Sequence, residues 1–231
     1  MCYHTSVKTT VNQLKVAFNN KPLIEEDSFQ SFYHANGFSH PDLPIVTKSE
    51  IKLSKWGLIP FWAKDEISAK KLWNSTLNAK SETVFDLASF KTSITTKRCI
   101  IPVTGFFEWK HVGKDKLPYY IHPKEHPYFF LGGIYSIWKD KLSNNTLHTF
   151  SILTTAANTF MADIHNSAKR MPLQIDERNI DVWLSDDLPK AGIIELMNPC
   201  SDIHMTAHRV STILSSKTVD SNIPEILEPI D

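Results

Sequence analysis

Val11, Leu14 and Phe18 recur at helical spacing behind Thr10, whose hydroxyl suits a helix N-cap. Residues 28–50 then mix aromatic, His, Pro and polar side chains without a clear period, which reads as a loop crossing the surface. Alternation begins at residues 51–58 (IKLSKWGL), the mark of a strand that runs into Pro60. Asn78-Ala79-Lys80-Ser81-Glu82 stands ahead of Val84, Phe85, Leu87 and Ala88, so a helix is expected to begin at or just after Asn78. The centre is strand-rich: residues 99–103, 106–109, 119–121, 128–138 and 149–155 are β-branched and aromatic runs separated by polar turns. Helices are expected at 156–164, 176–184 and 190–197, with strands at 171–175 and 204–212. Strands that cluster, rather than alternate one-for-one with helices, predict an α+β fold with a mainly antiparallel, barrel-like sheet flanked by helices. With no Pro/Ser-rich linker or charge block, residues 1–231 read as a single domain.

Composition narrows the function classes. The hydrophobic fraction of 42% and charged fraction of 22% are those of an ordinary globular protein. Cys2, Cys99 and Cys200 are odd in number and form no CxxC pair, which argues against a disulfide framework or a zinc cluster and suits a reducing compartment. The N-terminus lacks an apolar core of the secretory type and no run approaches a membrane span, so a cytoplasmic location without membrane partners is expected. Lys plus Arg and Asp plus Glu are both 25. A protein that grips DNA by bulk electrostatics usually carries a basic excess, so composition alone favours a small-molecule enzyme, and nucleic-acid binding would need its basic groups gathered on one face.

Four residues are candidates for chemistry. If Met1 is excised, Cys2 presents an α-amine and a thiol on one residue. The amine, with a pKa of roughly 7.7–8, can attack an aldehyde to form a Schiff base, and the thiol can then close a thiazolidine ring intramolecularly. Glu108 sits in RCIIPVTGFFEWK, where apolar neighbours would raise its pKa and suit it to proton transfer; alternatively it is a strand-edge carboxylate facing water. His165 follows the 156–164 helix and either exchanges protons near neutrality or caps helix carbonyls. Asn78 either orients substrate or caps a helix. HExxH, GxSxG, Walker and GxGxxG patterns are absent, and the ten histidines are scattered, so neither a metal nor a cofactor is expected.

Together with their flanks these residues form a recognisable set. MC at the start, WGLIPFW at 56–62, NAKSET at 78–83, RCIIPVTGFFEWK at 98–110, FFLGGIYSIW at 129–138, SILTTAAN at 151–158 and IHNSAKRMPLQI at 164–175 occur in this order. The chain resembles the SOS response-associated peptidase family, the abasic-site processing proteins. The resemblance implies a β-rich fold around an antiparallel barrel and a groove for single-stranded DNA. Cys2, freed of Met1, would form a thiazolidine with the ring-opened sugar of an abasic site. Asn78 would lie near the Cys2 amine, Glu108 would shuttle protons, and His165 would assist sugar ring opening. Thr154 would line the pocket, Lys80 and Arg170 would hold phosphates, and Trp62 and Trp109 would lie along the DNA groove. Three departures concern DNA grip: Tyr3-His4 follows Cys2 where the family has Gly-Arg, Lys80 replaces an arginine, and four residues (Asn166–Lys169) separate His165 from Arg170 where many members have one.

The expected partner is therefore abasic single-stranded DNA, acted on by a monomer. Strand cleavage by β-elimination from the imine is a related activity. A cysteine peptidase that processes its own N-terminus and a non-catalytic single-strand binding module are the alternatives.

Overall fold

The computed structural model describes residues 2–140, 143–216 and 218–230. Strand β1 (His4–Val7) leads into α1 (Val11–Ala17), whose capping box pairs Thr10 with Gln13 and whose buried residue is Leu14, as the helical stripe predicts. There follow β2 (Leu23–Ile24), β3 (Phe32–Asn36), β4 (Asp42–Val46), β5 (Ile51–Trp56), α2 (Glu66–Trp73) and β6 (Asn78–Lys80). Next come α3 (Lys91–Thr96), β7 (Arg98–Val103), β8 (Gly105–Val112), β9 (Asp115–Pro123), β10 (Phe129–Lys139) and β11 (Thr146–Ala156). The remainder is α4 (Thr159–Ile164), β12 (Arg170–Pro172), α5 (Ile180–Leu184), α6 (Lys190–Leu196) and β13 (Met205–Arg209).

Two expectations are overturned. Residues 28–50 hold β3 and β4 rather than a loop: β4 is buried from Leu43 to Val46, and a strand covered on both faces shows no alternation. Asn78 does not start a helix. Asn78–Lys80 is a strand laid parallel to β11, with Ile152 opposite Asn78, because a ladder edge was available to pair these backbone groups. Helix α3 begins only at Lys91, after a run of turns.

The α+β class holds. Strands β11, β10, β7, β4 and β5 pair in turn, and β5 returns to β11 in parallel register at Thr149–Lys55 and Phe150–Trp56, closing a five-stranded barrel. A second sheet runs β13-β9-β8-β1-β3. Alternation along the barrel strands separates two cores. Cys99, Ile101, Leu131, Phe150 and Ile152 join Cys2, Phe106, Met161 and Ile164 in one. Ile100, Phe130, Ile134 and Leu153 point the other way, beneath Leu14, Ile94, Trp183 and Ile193 of the helices. Buried Arg98 ties β7 to this helical layer by donating to the carbonyls of Ile94, Thr95, Trp183 and Ser185.

The turn out of β5 depends on Gly57, which has φ +111° and donates its N–H to the Phe150 carbonyl. A Cβ here would lie 2.2 Å from Trp73 Cδ1 and 2.9 Å from the Trp73 carbonyl oxygen. Strain and overpacking therefore act together, and Gly57→Ala is expected to cost about 3 kcal/mol, measured by urea unfolding against the parent protein.

Candidate active site

Cys2 precedes β1, which lies antiparallel to β8 with Thr5 opposite Phe106 and Ser6 opposite Gly105. That register carries the start of the chain toward Glu108. Cys2 is fully buried, and its Sγ lies 4.0 Å from the His4 carbonyl oxygen. Burial, and then the Glu108 carboxylate, push the thiol far above its usual range. Glu108 is 4% exposed, so the reading of a water-facing strand-edge acid does not hold. Burial raises its pKa from 4.5 to about 7, which leaves it partly protonated at neutrality.

His165 enters from the opposite side. It is the C-cap residue of α4, whose N-cap Asn158 accepts from the Met161 N–H. Two clasps fix the C-terminal end of α4 against β8: Lys110 pairs with Asp163 at 2.6 Å, and Asn166 exchanges hydrogen bonds with the His111 backbone at 3.0 and 2.9 Å. These clasps place His165 Nδ1 3.6 Å from Glu108 Oε1. The same Nδ1–H donates to the Arg170 carbonyl oxygen at 2.9 Å, which leaves the lone pair on Nε2. Burial lowers the His165 pKa and keeps the ring neutral.

Asn78 is 9% exposed, and neither end of its amide has a hydrogen-bond partner among the described residues. A buried, unsatisfied amide is costly, which suits a group waiting for a ligand. Its strand gathers the neighbouring candidates, since β6, β11 and β12 set Lys80 opposite Thr154 and Arg170 opposite Ala156. Lys80 is exposed and Thr154 fully buried. Arg170 is already engaged: its guanidinium takes both Glu82 carboxylate oxygens, at 2.5 and 3.0 Å, and donates to the Thr154 carbonyl and hydroxyl at 2.7 and 3.1 Å. Trp109 packs edge-on to His4 at 4.9 Å and donates to Ser215. Trp62 lies on a separate, exposed loop, its indole N–H donating to the Ala88 carbonyl.

His4 stands where an arginine would supply charge, and it does not supply it. Its Nδ1 lies 2.8 Å from His34 Nε2, while burial holds His4 at about 3 and His34 at about 4, so both rings are neutral near pH 7. Glu82, within NAKSET, is a participant that the sequence motifs contained but did not single out; a carboxylate close to an incoming arginine is visible only once β6 and β12 flank β11. A cavity of about 710 Å³ is lined by Tyr128, Phe130, Gln174, Arg178, Cys200 and His204 and touches none of these residues. Volume and chemistry thus point to different places, and chemistry is the better guide, because a carboxyl and an imidazole with displaced pKa values meet there at 3.6 Å. Among the described residues no three His, Cys, Asp or Glu side chains gather where a metal ion could be held, and no helix is long and apolar enough to cross a membrane.

The family description SOS response associated peptidase (SRAP) matches residues 1–217. The chain belongs to this family. Two relatives from Bacillus subtilis (strain 168) are similar over nearly the whole length: Abasic site processing protein YoqW, 32% identical over 99% of each chain, and Abasic site processing protein YoaM, 35% identical over 99% of this chain and 98% of the other. A crystal structure of a protein from Bacteroides thetaiotaomicron shares this fold, with a TM-score of 0.91 and 36% identity over 99% of this chain and 100% of that one.

Proposed function

We propose that this protein processes abasic sites in single-stranded DNA by trapping them covalently through Cys2 once Met1 has been excised. The observation that carries this reading is the meeting of Cys2, Glu108 and His165, from three distant parts of the chain, at one buried point. Family membership and the names of the Bacillus relatives point the same way.

The chemistry follows from the protonation states. His165 Nε2, carrying the lone pair, takes the proton of the anomeric hydroxyl as the bond from the anomeric carbon to the ring oxygen breaks, and returns it to that oxygen, giving the open-chain hydroxy-aldehyde. The neutral α-amine adds to the carbonyl carbon; Glu108 carries the two amine protons in turn to the former carbonyl oxygen, which leaves as water and forms the imine. The Cys2 S–H then adds across C=N: sulfur bonds to carbon, the proton goes to nitrogen, and a thiazolidine closes. Asn78 offers its unsatisfied amide to the amine or sugar oxygen. Lys80 and Arg170 lie where phosphates would pass, with Thr154 beneath them, and Trp62 and Trp109 present indoles for base stacking. A thiol held protonated suits an amine-first mechanism and disfavours a peptidase, whose nucleophile must be a thiolate.

The test is direct. Purified protein, its N-terminus defined by mass, is mixed with an oligonucleotide bearing an abasic site and run on a denaturing gel. A slow-migrating band that appears only in Met1-free protein is expected. A shift under native conditions alone would instead mark a binding module, and Cys2-dependent peptide cleavage without DNA would mark a peptidase.

A further inference from the structure

We infer that Glu82 is a positioning residue for His165, acting through Arg170; the inference rests on the trapping role proposed above. Glu82 lies in the turn segment after β6, which is tied to β11 by the Ser81 N–H donating to the Thr154 carbonyl at 2.9 Å. From there its carboxylate takes the Arg170 guanidinium in a two-bond fork, at 2.5 and 3.0 Å. Arg170 in turn lends its own backbone carbonyl to His165 Nδ1–H at 2.9 Å. One residue thus receives the clamp on its side chain and delivers the bond that orients the imidazole from its main chain.

The loop between them explains why a clamp is needed. His165 and Arg170 are separated by four residues, bridged by the Lys169 N–H donating to the His165 carbonyl at 2.8 Å, with Lys169 in the left-handed region at φ +50°. Short β12 holds Arg170 to the sheet at its very end, opposite Ala156. A longer loop leaves the carbonyl less constrained by chain connectivity, and the fork restores the constraint from the other side. Thermal stability does not account for it, because the Glu82 side chain is 51% exposed and exposed ion pairs contribute little. A two-bond arginine–carboxylate pair contributes orientation.

Two consequences separate this role from a merely structural one. First, the Arg170 carbonyl favours the imidazolium, opposing burial, so releasing it moves the His165 pKa further down. The amino terminus, and Glu108 and His111 from β8, also face the ring and are untouched by a change at Glu82, while the Arg170 guanidinium, left without its carboxylate, presses the ring pKa in the same downward direction. Second, an unclamped guanidinium is available to DNA phosphate, so binding holds or tightens while the reaction slows.

The experiment compares wild type, Glu82→Ala, Glu82→Gln and Glu82→Asp. The readouts are an NMR titration of the His165 ring in the protein without DNA, affinity for abasic single strands, and the single-turnover rate of adduct formation across pH. Glu82→Ala should lower the His165 pKa, move the acid limb of the rate profile to lower pH and slow the reaction on the order of tenfold, with affinity unchanged or higher; Glu82→Asp should recover most of the loss. Should Glu82→Ala fold poorly, the near-isosteric Glu82→Gln carries the same expectation. An unmoved ring pKa in the folded variants, or a rate loss matched by lost affinity, overturns the inference. A wild type that forms no adduct, while the ring still titrates lower in Glu82→Ala, refutes the trapping function and leaves the positioning role standing.

Discussion

Cys2→Ala, with Met1 removed, should lose the denaturation-resistant DNA adduct altogether, a drop of at least about a hundredfold in trapped product. The amine remains in this variant, so an imine still forms, and adding borohydride should fix it as a stable secondary amine. Without reductant the imine hydrolyses, because no neighbouring S–H adds across C=N. Cys2→Ser should behave alike, since a hydroxyl is a poorer nucleophile toward an imine than a thiol. This pair of conditions separates the thiol's role from the amine's on one gel. Cys2 is fully buried among Phe106, Met161 and Ile164, so truncation also leaves a small cavity, and a melting curve must accompany the assay. A reductant-independent adduct in Cys2→Ala would sink the thiazolidine.

Glu108→Gln should move activity and stability in opposite directions. Removing the proton carrier should slow adduct formation about a hundredfold. Yet ionised Glu108 is a burden on the fold. Its pKa is about 7 in the folded protein against 4.5 ordinarily, so between those pH values the folded state holds more protons than the unfolded chain. The resulting cost is absent below pH 4.5, grows as pH rises through 7, and is complete above it, at about 3 kcal/mol. Glu108→Gln should therefore unfold near the wild-type denaturant concentration at pH 4.5 and at a distinctly higher one at pH 8. Equal shifts at both pH values would mean that the carboxyl is not held protonated by burial.

The strand-rich centre, the cap at Thr10 and the α+β class were readable along the chain, because they arise from local alternation, local spacing and a side chain that bonds its own backbone. The motif set singled out Cys2, Asn78, Glu108 and His165 as candidates, and the structure buries all four and sets His165 Nδ1 3.6 Å from Glu108 Oε1. The sequence could not say that Asn78 lies in a strand, that residues 28–50 supply two strands, or that Arg170 is bound to Glu82. Those depend on which edges pair once the barrel closes between β5 and β11, and strand pairing is a long-range choice that local propensity does not encode. The protonation states are tertiary in the same sense. Removal from water raises Glu108 to about 7 and holds His4 near 3, and no pattern of neighbours along the chain reports how completely a side chain is enclosed.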